Sequence, residues 1–291
     1  MKTGQLPVSC LPVSLFQDFF HGELSLEQWA QFAAETGLDY IDINRRCLMD
    51  LSVDEVEKKA AGLRLPVMMV TTYSDFTAPD AAERAVAIEA AKKDILIAGA
   101  LGGKYIRLTA GQHYPQQDEG EAIGYIYDGF AACIPTAEAA GVRILLENHS
   151  KPGAWQYDDF DFHYGRMVKL WEKMKELPIG VNYDTANGFA LDNWQALMEM
   201  FGARIETIHM NDLASIKPLQ FACVGEGIVP LEEQMKALYA MGFRGPVCIE
   251  EAAMEGKNGV IRAVQNTRAI LERTCGSLSS RSERRALLWM Q

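Results

Sequence analysis

Short apolar runs alternate with amphipathic stretches along the whole of this chain. Runs of strand character lie near residues 6–16, 39–44, 65–72, 104–109, 143–148, 179–184, 205–210 and 246–251. Stretches with helical spacing lie near residues 26–36, 52–63, 80–101, 121–140, 159–176, 192–202, 230–241 and 257–273. Eight consecutive strand–helix units, with no linker-like segment between them, predict a single α/β domain folded as a (β/α)8 TIM barrel.

Several predicted helices carry recognisable start and stop signals. Residues 25–28 and 52–55 fit the capping box, in which the first and fourth residues exchange hydrogen bonds between side chain and backbone. Gly37, Gly141 and Gly242 each follow a predicted helix directly, where a left-handed residue is favoured. The Gly-x-Gly-x-x-Gly turn after a first strand, typical of a doubly wound open sheet, is absent, so the barrel is favoured.

Length, composition and charge narrow the possible functions. A chain of 291 residues that is 48% hydrophobic can bury a large core, and barrels of this length are common as one domain. The net charge of −11 argues against a nucleic-acid partner, because phosphate backbones are bound by clustered Lys and Arg. After Gly276 the chain becomes polar and basic, unlike the alternating strand and helix pattern before it. We therefore predict a barrel domain over residues 1–275 and a C-terminal tail over residues 276–291, either a helix or a disordered end, which could pack on a second subunit of a homo-oligomer.

The cysteines and the N-terminal segment bear on location. Six Cys without a Cys-x-x-Cys pair disfavour a thiolate metal site and fit a reducing compartment. The N-terminal segment is interrupted by Pro7, Pro12 and Asp18 and makes a poor signal peptide. No apolar run approaches the roughly 18 residues of a membrane span. We expect a cytoplasmic protein without a membrane partner.

The last four strand-like runs each end in a side chain that can bind a metal ion. These side chains are Glu147, Asp184, His209 and Glu250. Because the carboxyl ends of parallel barrel strands converge on one mouth, we expect the four to meet around one ion. Strand side chains alternate between faces, and in every run the apolar neighbours would face the helices while the candidate ligand faces the barrel axis.

The same alternation decides which of two neighbouring glutamates is the candidate ligand. With Val247 and Ile249 turned outward, Glu250 faces the axis and Glu251 points away. On the second and fourth strands it turns Asp42 and Arg107 inward, among others. An inward cation needs an anionic partner or ligand, which makes Arg107 a candidate substrate contact or a partner of Asp42 or Glu147.

The predicted ligand set indicates a particular chemistry. Three carboxylates and one imidazole suit one divalent ion, Mn²⁺, Mg²⁺, Co²⁺ or Zn²⁺, rather than a thiophilic metal. Such an ion polarises a substrate carbonyl and acidifies the neighbouring C–H. A carboxylate then removes the proton to give an enediolate, and a second carboxylate on another strand can return it to the opposite face. Glu147 and Glu250 are the predicted catalytic pair.

Five motifs carry a family resemblance. They are Glu147-Asn-His149, Gly180-Val-Asn-Tyr-Asp-Thr-Ala-Asn187, His209-Met-Asn-Asp212, Gly225-Glu-Gly227 and Val247-Cys-Ile-Glu250. In order and spacing they resemble the xylose isomerase-like TIM-barrel superfamily, from the first strand to about residue 273. This group contains sugar and sugar-phosphate isomerases and epimerases, inosose dehydratases and AP endonuclease family 2. The resemblance implies a metal bound by Glu147, Asp184, His209 and Glu250, with Glu147 and Glu250 as the acid/base pair of the keto-sugar 3-epimerases.

The residues expected around the substrate depart from the patterns of that group. Asn187 stands where many members carry His, and Gly153 and Ser215 stand where the keto-sugar 3-epimerases carry Glu and Arg. Asn211 replaces the Lys of the common His-x-Lys-Asp motif, so a cation has to come from elsewhere. The predicted substrate contacts are Arg107, His149, Asn187 and Lys217, with Lys217 or Arg107 as the replacement cation.

Four functions are compatible with these features, in decreasing order of support. The first is a metal-dependent isomerase or epimerase acting on a small sugar or sugar phosphate. The second uses the same site for β-elimination on a keto-sugar or keto-inositol. An AP endonuclease is disfavoured by Asn187 and by the acidic charge. A catalytically silent sugar-binding protein is disfavoured by the complete ligand set. The absence of a Gly-rich anion cradle favours an unphosphorylated substrate.

Overall fold

The computed structural model describes residues 6–48, 51–150 and 155–288, with side chains described as far as residue 274. The strands are β1 (Val8–Leu11), β2 (Ile41–Asn44), β3 (Val67–Thr71), β4 (Tyr105–Leu108), β5 (Arg143–Glu147), β6 (Gly180–Asp184), β7 (Ile205–Met210), β8 (Asp212–Ser215), β9 (Gln220–Ala222) and β10 (Val247–Glu250). Strands β1–β7 and β10 form a parallel sheet in the order β1-β10-β7-β6-β5-β4-β3-β2. The N–H groups of Asp39 and Tyr40 reach the Val8 carbonyl and bring β2 back beside β1. The predicted (β/α)8 barrel is confirmed.

Helices surround this sheet. They are α1 (Phe16–Phe20), α2 (Leu26–Glu35), α3 (Val53–Ala60), α4 (Ala81–Ala100), α5 (Glu119–Ala140), α6 (Tyr164–Met174), α7 (Thr185–Ala190), α8 (Trp194–Phe201), α9 (Leu231–Ala240) and α10 (Gly256–Leu288), with 3-10 turns at Val13–Leu15, Arg45–Leu48 and Gly202–Arg204. Both predicted capping boxes are present, at the starts of α2 and α3. The three predicted helix-ending glycines have positive φ angles of 84°, 67° and 94°.

Two local predictions were wrong, and one element was missed. The strand expected over residues 6–16 ends at Leu11, because Pro12 has no N–H to continue the ladder and the chain turns into a 3-10 helix and α1. The helix expected over residues 159–176 begins only at Tyr164, because the preceding segment is bound across to the loop after β4 through the N–H of Phe160 and the carbonyl of Gly111. The hairpin β8–β9 was not predicted.

Helix α10 crosses the predicted boundary between barrel and tail. It runs without interruption from Gly256 to Leu288, so the backbone of the predicted tail is helical that far. The division of the chain at residue 275 stays a prediction. Gly153 lies outside the described residues. Among the described helices, none has the length and apolar character needed to cross a membrane.

The β8–β9 hairpin is fastened to the barrel at its base by one carboxylate. Asp212 accepts the N–H groups of Gly225 and Gly227 on Oδ2, and those of Leu213 and Val229 on Oδ1, at 2.9–3.0 Å. A Cβ at Gly227 would collide with the Leu213 carbonyl and the Asp212 side chain, so this close approach requires glycine. The sequence motifs His209-Met-Asn-Asp212 and Gly225-Glu-Gly227 therefore meet at the base of the hairpin.

The fold makes a testable distinction between two glycines of α5. A Cβ added at Gly129 would lie 2.5 Å from the ring of Phe76, which is fully buried and packed edge-on against Phe130. Gly129→Ala is therefore expected to lower the free energy of unfolding by about 1–3 kcal/mol. Gly124 has no atom within 4 Å of the added Cβ, so Gly124→Ala should raise it by about 0.5–1 kcal/mol. Urea denaturation of both variants measures the difference; the reverse order would contradict the packing of Phe76.

Candidate metal centre

Strands β5, β6, β7 and β10 bring four side chains together at their carboxyl ends. Glu147, Asp184, His209 and Glu250 each offer one ligand atom within 4.8 Å of the other three. Glu147, Asp184 and His209 are fully buried, and Glu250 is 7% exposed. The four residues therefore form one compact cluster, with Glu250 nearest to solvent.

Glu147 is surrounded by donors. Its Oε2 lies 2.9 Å from Nε of Arg107 and accepts a hydrogen bond from Asn182 at 2.9 Å, and its Oε1 lies 3.2 Å from Nδ1 of His209. Burial raises the pKa of Glu147, but the charges of His209 and Arg107 outweigh burial and hold that pKa below its usual range. Glu147 is therefore ionised, and Arg107 has the anionic partner that an inward cation requires.

Asp184 is in the opposite situation. Its Oδ1 accepts the N–H of Asn187 at 2.6 Å, and Asn148 bonds to its backbone N–H and carbonyl at 2.9 Å. Burial, together with repulsion from Glu250 and Glu147, holds the pKa of Asp184 well above its usual range. Its Oδ2 is buried and has no hydrogen-bond partner in the described part of the chain.

His209 and Glu250 complete the cluster. Burial lowers the pKa of His209, but the adjacent Glu147 and Glu250 carboxylates outweigh burial and raise it to about 9. Oε2 of Glu250 lies 4.0 Å from Nδ1 of His209 and accepts a hydrogen bond from Asn211 at 2.9 Å. Glu251 lies apart from the cluster, and its Oε1 accepts the N–H of Ala253.

The cluster fits a divalent cation. Carboxylate oxygens and an imidazole nitrogen are donors for hard to borderline ions. A cation would also satisfy the buried Oδ2 of Asp184 and offset the repulsion that raises its pKa. Glu147, Asp184, His209 and Glu250 are the residues that would hold such an ion.

An aromatic and acidic wall adjoins the cluster. His149 is buried, and its Nδ1 lies 2.5 Å from Oδ1 of Asp159, which also accepts the indole N–H of Trp155 at 2.8 Å. The ring of Tyr73 meets the rings of both His149 and Trp155 edge-on, with centroids 5.7 Å apart in each case. Beside this wall lies a cavity of about 600 Å³, large enough for a small sugar.

The other predicted substrate contacts lie in different places. Asn187 is buried in the first turn of α7, beside Asp184, and its Oδ1 has no hydrogen-bond partner in the described residues. Lys217 lies exposed between β8 and β9, and in the described part of the chain no ion pair joins it to the cluster. Their roles toward a substrate stay predictions.

Several residues of the site were not assigned a role from the sequence. Asn148, Tyr73, Trp155 and Asp159 lie in loops, where strand alternation gives no direction. Asn182 faces inward by the same alternation as Asp184, and this was the available signal for its bond to Glu147.

The chain belongs to the xylose isomerase-like TIM barrel family, whose model matches residues 30–272. A putative L-ribulose-5-phosphate 3-epimerase of Escherichia coli strain K12 is 25% identical, covering 89% of this chain and 94% of that protein. A probable endonuclease 4 of Thermotoga sp. strain RQ2 is 30% identical over 43% of this chain and 46% of its own length. Among solved structures, IOLI protein with a bound zinc atom superposes with a TM-score of 0.77 at 17% identity, covering 92% of this chain and 99% of that one.

Proposed function

We propose that this protein is a divalent-metal-dependent sugar isomerase or epimerase. The observation that carries the proposal is the cluster of Glu147, Asp184, His209 and Glu250, whose ligand atoms lie within 4.8 Å of one another at the ends of four strands. The full-length similarity to a protein named as a sugar-phosphate epimerase supports the same reaction class. The endonuclease similarity covers less than half of either chain, and the acidic charge of this protein does not suit DNA.

A divalent ion held by the cluster would polarise a substrate carbonyl and acidify the neighbouring C–H. The residues of the chain then have separate tasks. Glu250 is the most exposed of the four ligands, and in the described part of the chain it has a single hydrogen bond, from the neutral amide of Asn211, which leaves it free to remove a proton. Glu147, on another strand, is the candidate for the opposite face of the substrate. Arg107 and Asn182 hold its carboxylate in place.

The wall beside the cluster suits the hydroxylated body of a sugar. Sugar rings commonly place C–H groups on aromatic faces and hydroxyls against carboxylates, and Tyr73, Trp155 and Asp159 offer both kinds of surface. We propose that the substrate extends from the metal centre along His149 into the cavity lined by Trp155 and Asp159. A second acidic residue on this lining, Asp158, favours an unphosphorylated substrate.

Solvent exchange tests the reaction directly. The Mn²⁺- or Co²⁺-loaded protein, incubated with a panel of ketoses in D₂O, is expected to place deuterium at the carbon next to the carbonyl, because a carboxylate removes that proton and solvent exchanges it. Mass spectrometry of the recovered sugar measures the label. Lys175→Ala, which changes an exposed side chain at the end of α6, serves as a control that should still exchange. Absence of label with every ketose would contradict the proposal.

One observation favours β-elimination as a second function. His149 lies beside the cluster with its Nδ1 against the carboxylate of Asp159, an arrangement that lets an imidazole deliver a proton to a departing oxygen. If a substituent leaves from the β-carbon, the deuterium experiment yields a dehydrated or cleaved product in place of a labelled sugar. Product analysis in the same reactions therefore separates the two functions.

A further inference from the structure

A second group of polar side chains lies inside the barrel, next to the cluster. Ser9 on β1, Asp42 on β2 and Cys248 on β10 point into the interior together with His209. The strand register places three of them in one row, with Ser9 opposite Cys248 and Cys248 opposite His209. None of the four side chains is more than 2% exposed.

Polar atoms of this group are left without partners. Both carboxylate oxygens of Asp42, Oγ of Ser9 and Nε2 of His209 are buried without a hydrogen-bond partner in the described part of the chain. A buried polar atom in a native protein is rarely unsatisfied, and a buried carboxylate with no bond is costly. Burial raises the pKa of Asp42 to about 6, although the Cys248 thiol, the charge of His209 and the Ser9 hydroxyl lie close enough to lower it, without reaching full hydrogen-bond geometry. The group therefore requires a bridging species or a small rearrangement.

The distances indicate which kind of bridge fits. One nitrogen of His209, one oxygen of Asp42 and the sulfur of Cys248 lie within 4.8 Å of one another. Nδ1 of His209 faces Glu147, so the nitrogen available to Asp42 is Nε2. Two hydrogen bonds of about 2.8 Å that meet at a water molecule with tetrahedral angles span about 4.5 Å. The limit of 4.8 Å is compatible with one water molecule between Nε2 and the carboxylate.

We propose that Asp42 is a positioning residue that holds the proton of His209 on Nε2, through one buried water molecule. With the proton on Nε2, the lone pair of Nδ1 points at Glu147, Asp184 and Glu250, where the divalent ion would bind. Histidine ligands of metal ions generally donate their second N–H to a carboxylate, a carbonyl or a water molecule in this way. This role rests on the metal centre proposed above.

Another arrangement of the same atoms is a second metal ion, held by Asp42, Cys248 and Nε2 of His209. That arrangement would require His209 to lose both ring protons and bridge two ions, and Cys248 to bind through its thiolate. The positioning role requires neither a doubly deprotonated His209 nor a Cys248 thiolate, and we therefore favour it. The two arrangements differ in the number of ions bound and in whether sulfur is a ligand.

Titration of the full-length protein with Co²⁺ tests the role of Asp42. Asp42→Asn, which removes the charge but keeps the size, and Asp42→Ala are expected to weaken Co²⁺ binding by about 10- to 100-fold. Cys248→Ala changes the same interior wall and is the matched control, with an affinity like that of the unaltered protein. Calorimetry gives affinity and stoichiometry, and circular dichroism checks that each variant is folded.

The outcomes separate the alternatives. One ion per chain, weakened by both Asp42 variants and not by Cys248→Ala, supports the positioning role. Two ions per chain, with a sulfur-to-cobalt charge-transfer band lost in Cys248→Ala, would replace it with the second-ion arrangement. Unchanged affinity in a folded Asp42→Asn variant would also overturn it. If the unaltered protein binds no Co²⁺, Mn²⁺ or Zn²⁺, the proposed function fails instead.

A measurement on the unaltered protein keeps the test decisive if the Asp42 variants do not fold. ¹⁵N NMR of the Zn²⁺-loaded protein reports which ring nitrogen of His209 carries the proton. We expect the proton on Nε2 and the metal shift on Nδ1. The reverse assignment would overturn the role of Asp42, because the carboxylate would then face a nitrogen without a proton.

Discussion

Glu250→Gln is expected to lower kcat by about 10²- to 10⁴-fold, while Glu251→Gln leaves it close to that of the unaltered protein. Gln cannot move a proton, and Glu250 is the ligand that the structure leaves most accessible to a substrate. Glu251 is the adjacent residue and also a buried carboxyl group, but it bonds to the N–H of Ala253 away from the cluster. Steady-state kinetics of the two variants, on the ketose identified by solvent exchange, measures the difference.

The pair of variants is a strict test because only the direction of the side chain separates them. Both change one carboxylate to an amide of the same shape, on consecutive residues. Equal losses of kcat would show that the negative charge near the strand end matters rather than the position of Glu250. Glu147→Gln should also abolish deuterium exchange into the substrate. It should lower the metal affinity as well, since Glu147 contacts both His209 and Arg107.

Metal affinity is expected to rise by at least about tenfold per pH unit between pH 6 and pH 8. His209 has its pKa raised to about 9, so it carries a proton across this range in the metal-free protein, and the ion has to displace that proton from Nδ1. The pKa of Asp184 is raised as well, which adds a second source of released protons. Binding isotherms at several pH values give the slope, and calorimetry in buffers of different ionisation enthalpy counts the protons.

The control for this prediction is His209→Gln. The variant should bind the ion more weakly, and its affinity should depend less steeply on pH, because one displaced proton is missing. His21, which is exposed directly after α1 and is not part of the cluster, offers a histidine whose replacement should change nothing. A pH-independent affinity in the unaltered protein would mean that neither His209 nor Asp184 gives up a proton when the ion binds.

The fold and the convergence of the four ligands could both be predicted from the sequence, for the same physical reason. Strand side chains alternate strictly, and parallel barrel strands all run toward one mouth, so a ligand at a strand end has a known direction and destination. Glu250 and Glu251 were separated by this rule alone. It also turned Arg107 inward, although only the structure shows that Glu147 rather than Asp42 is its partner.

The rest of the site could not be predicted, because loops lack a repeat that fixes side-chain direction. The contact of Asp159 with His149 depends on how the segment before α6 folds across the mouth, and this segment was expected to be helical. Tyr73 joins the wall through ring contacts from a loop after β3. The hairpin β8–β9 is a short insertion held by bonds to one carboxylate, and its strands are too short to show a pattern.

The hydrogen bonds of Asp212 fix the base of the β8–β9 hairpin and leave its tip less constrained. The bonds from Gly225, Gly227 and Val229 secure the hairpin at its base, while Ile216 and Leu219, between β8 and β9, are only half-buried against the core. Leu219, in that stretch, lines the cavity that also contacts Trp155 and Asp159. Exchanging residues 216–219 would therefore change the lining of this cavity, while Glu147, Asp184, His209 and Glu250 keep their places on four other strands.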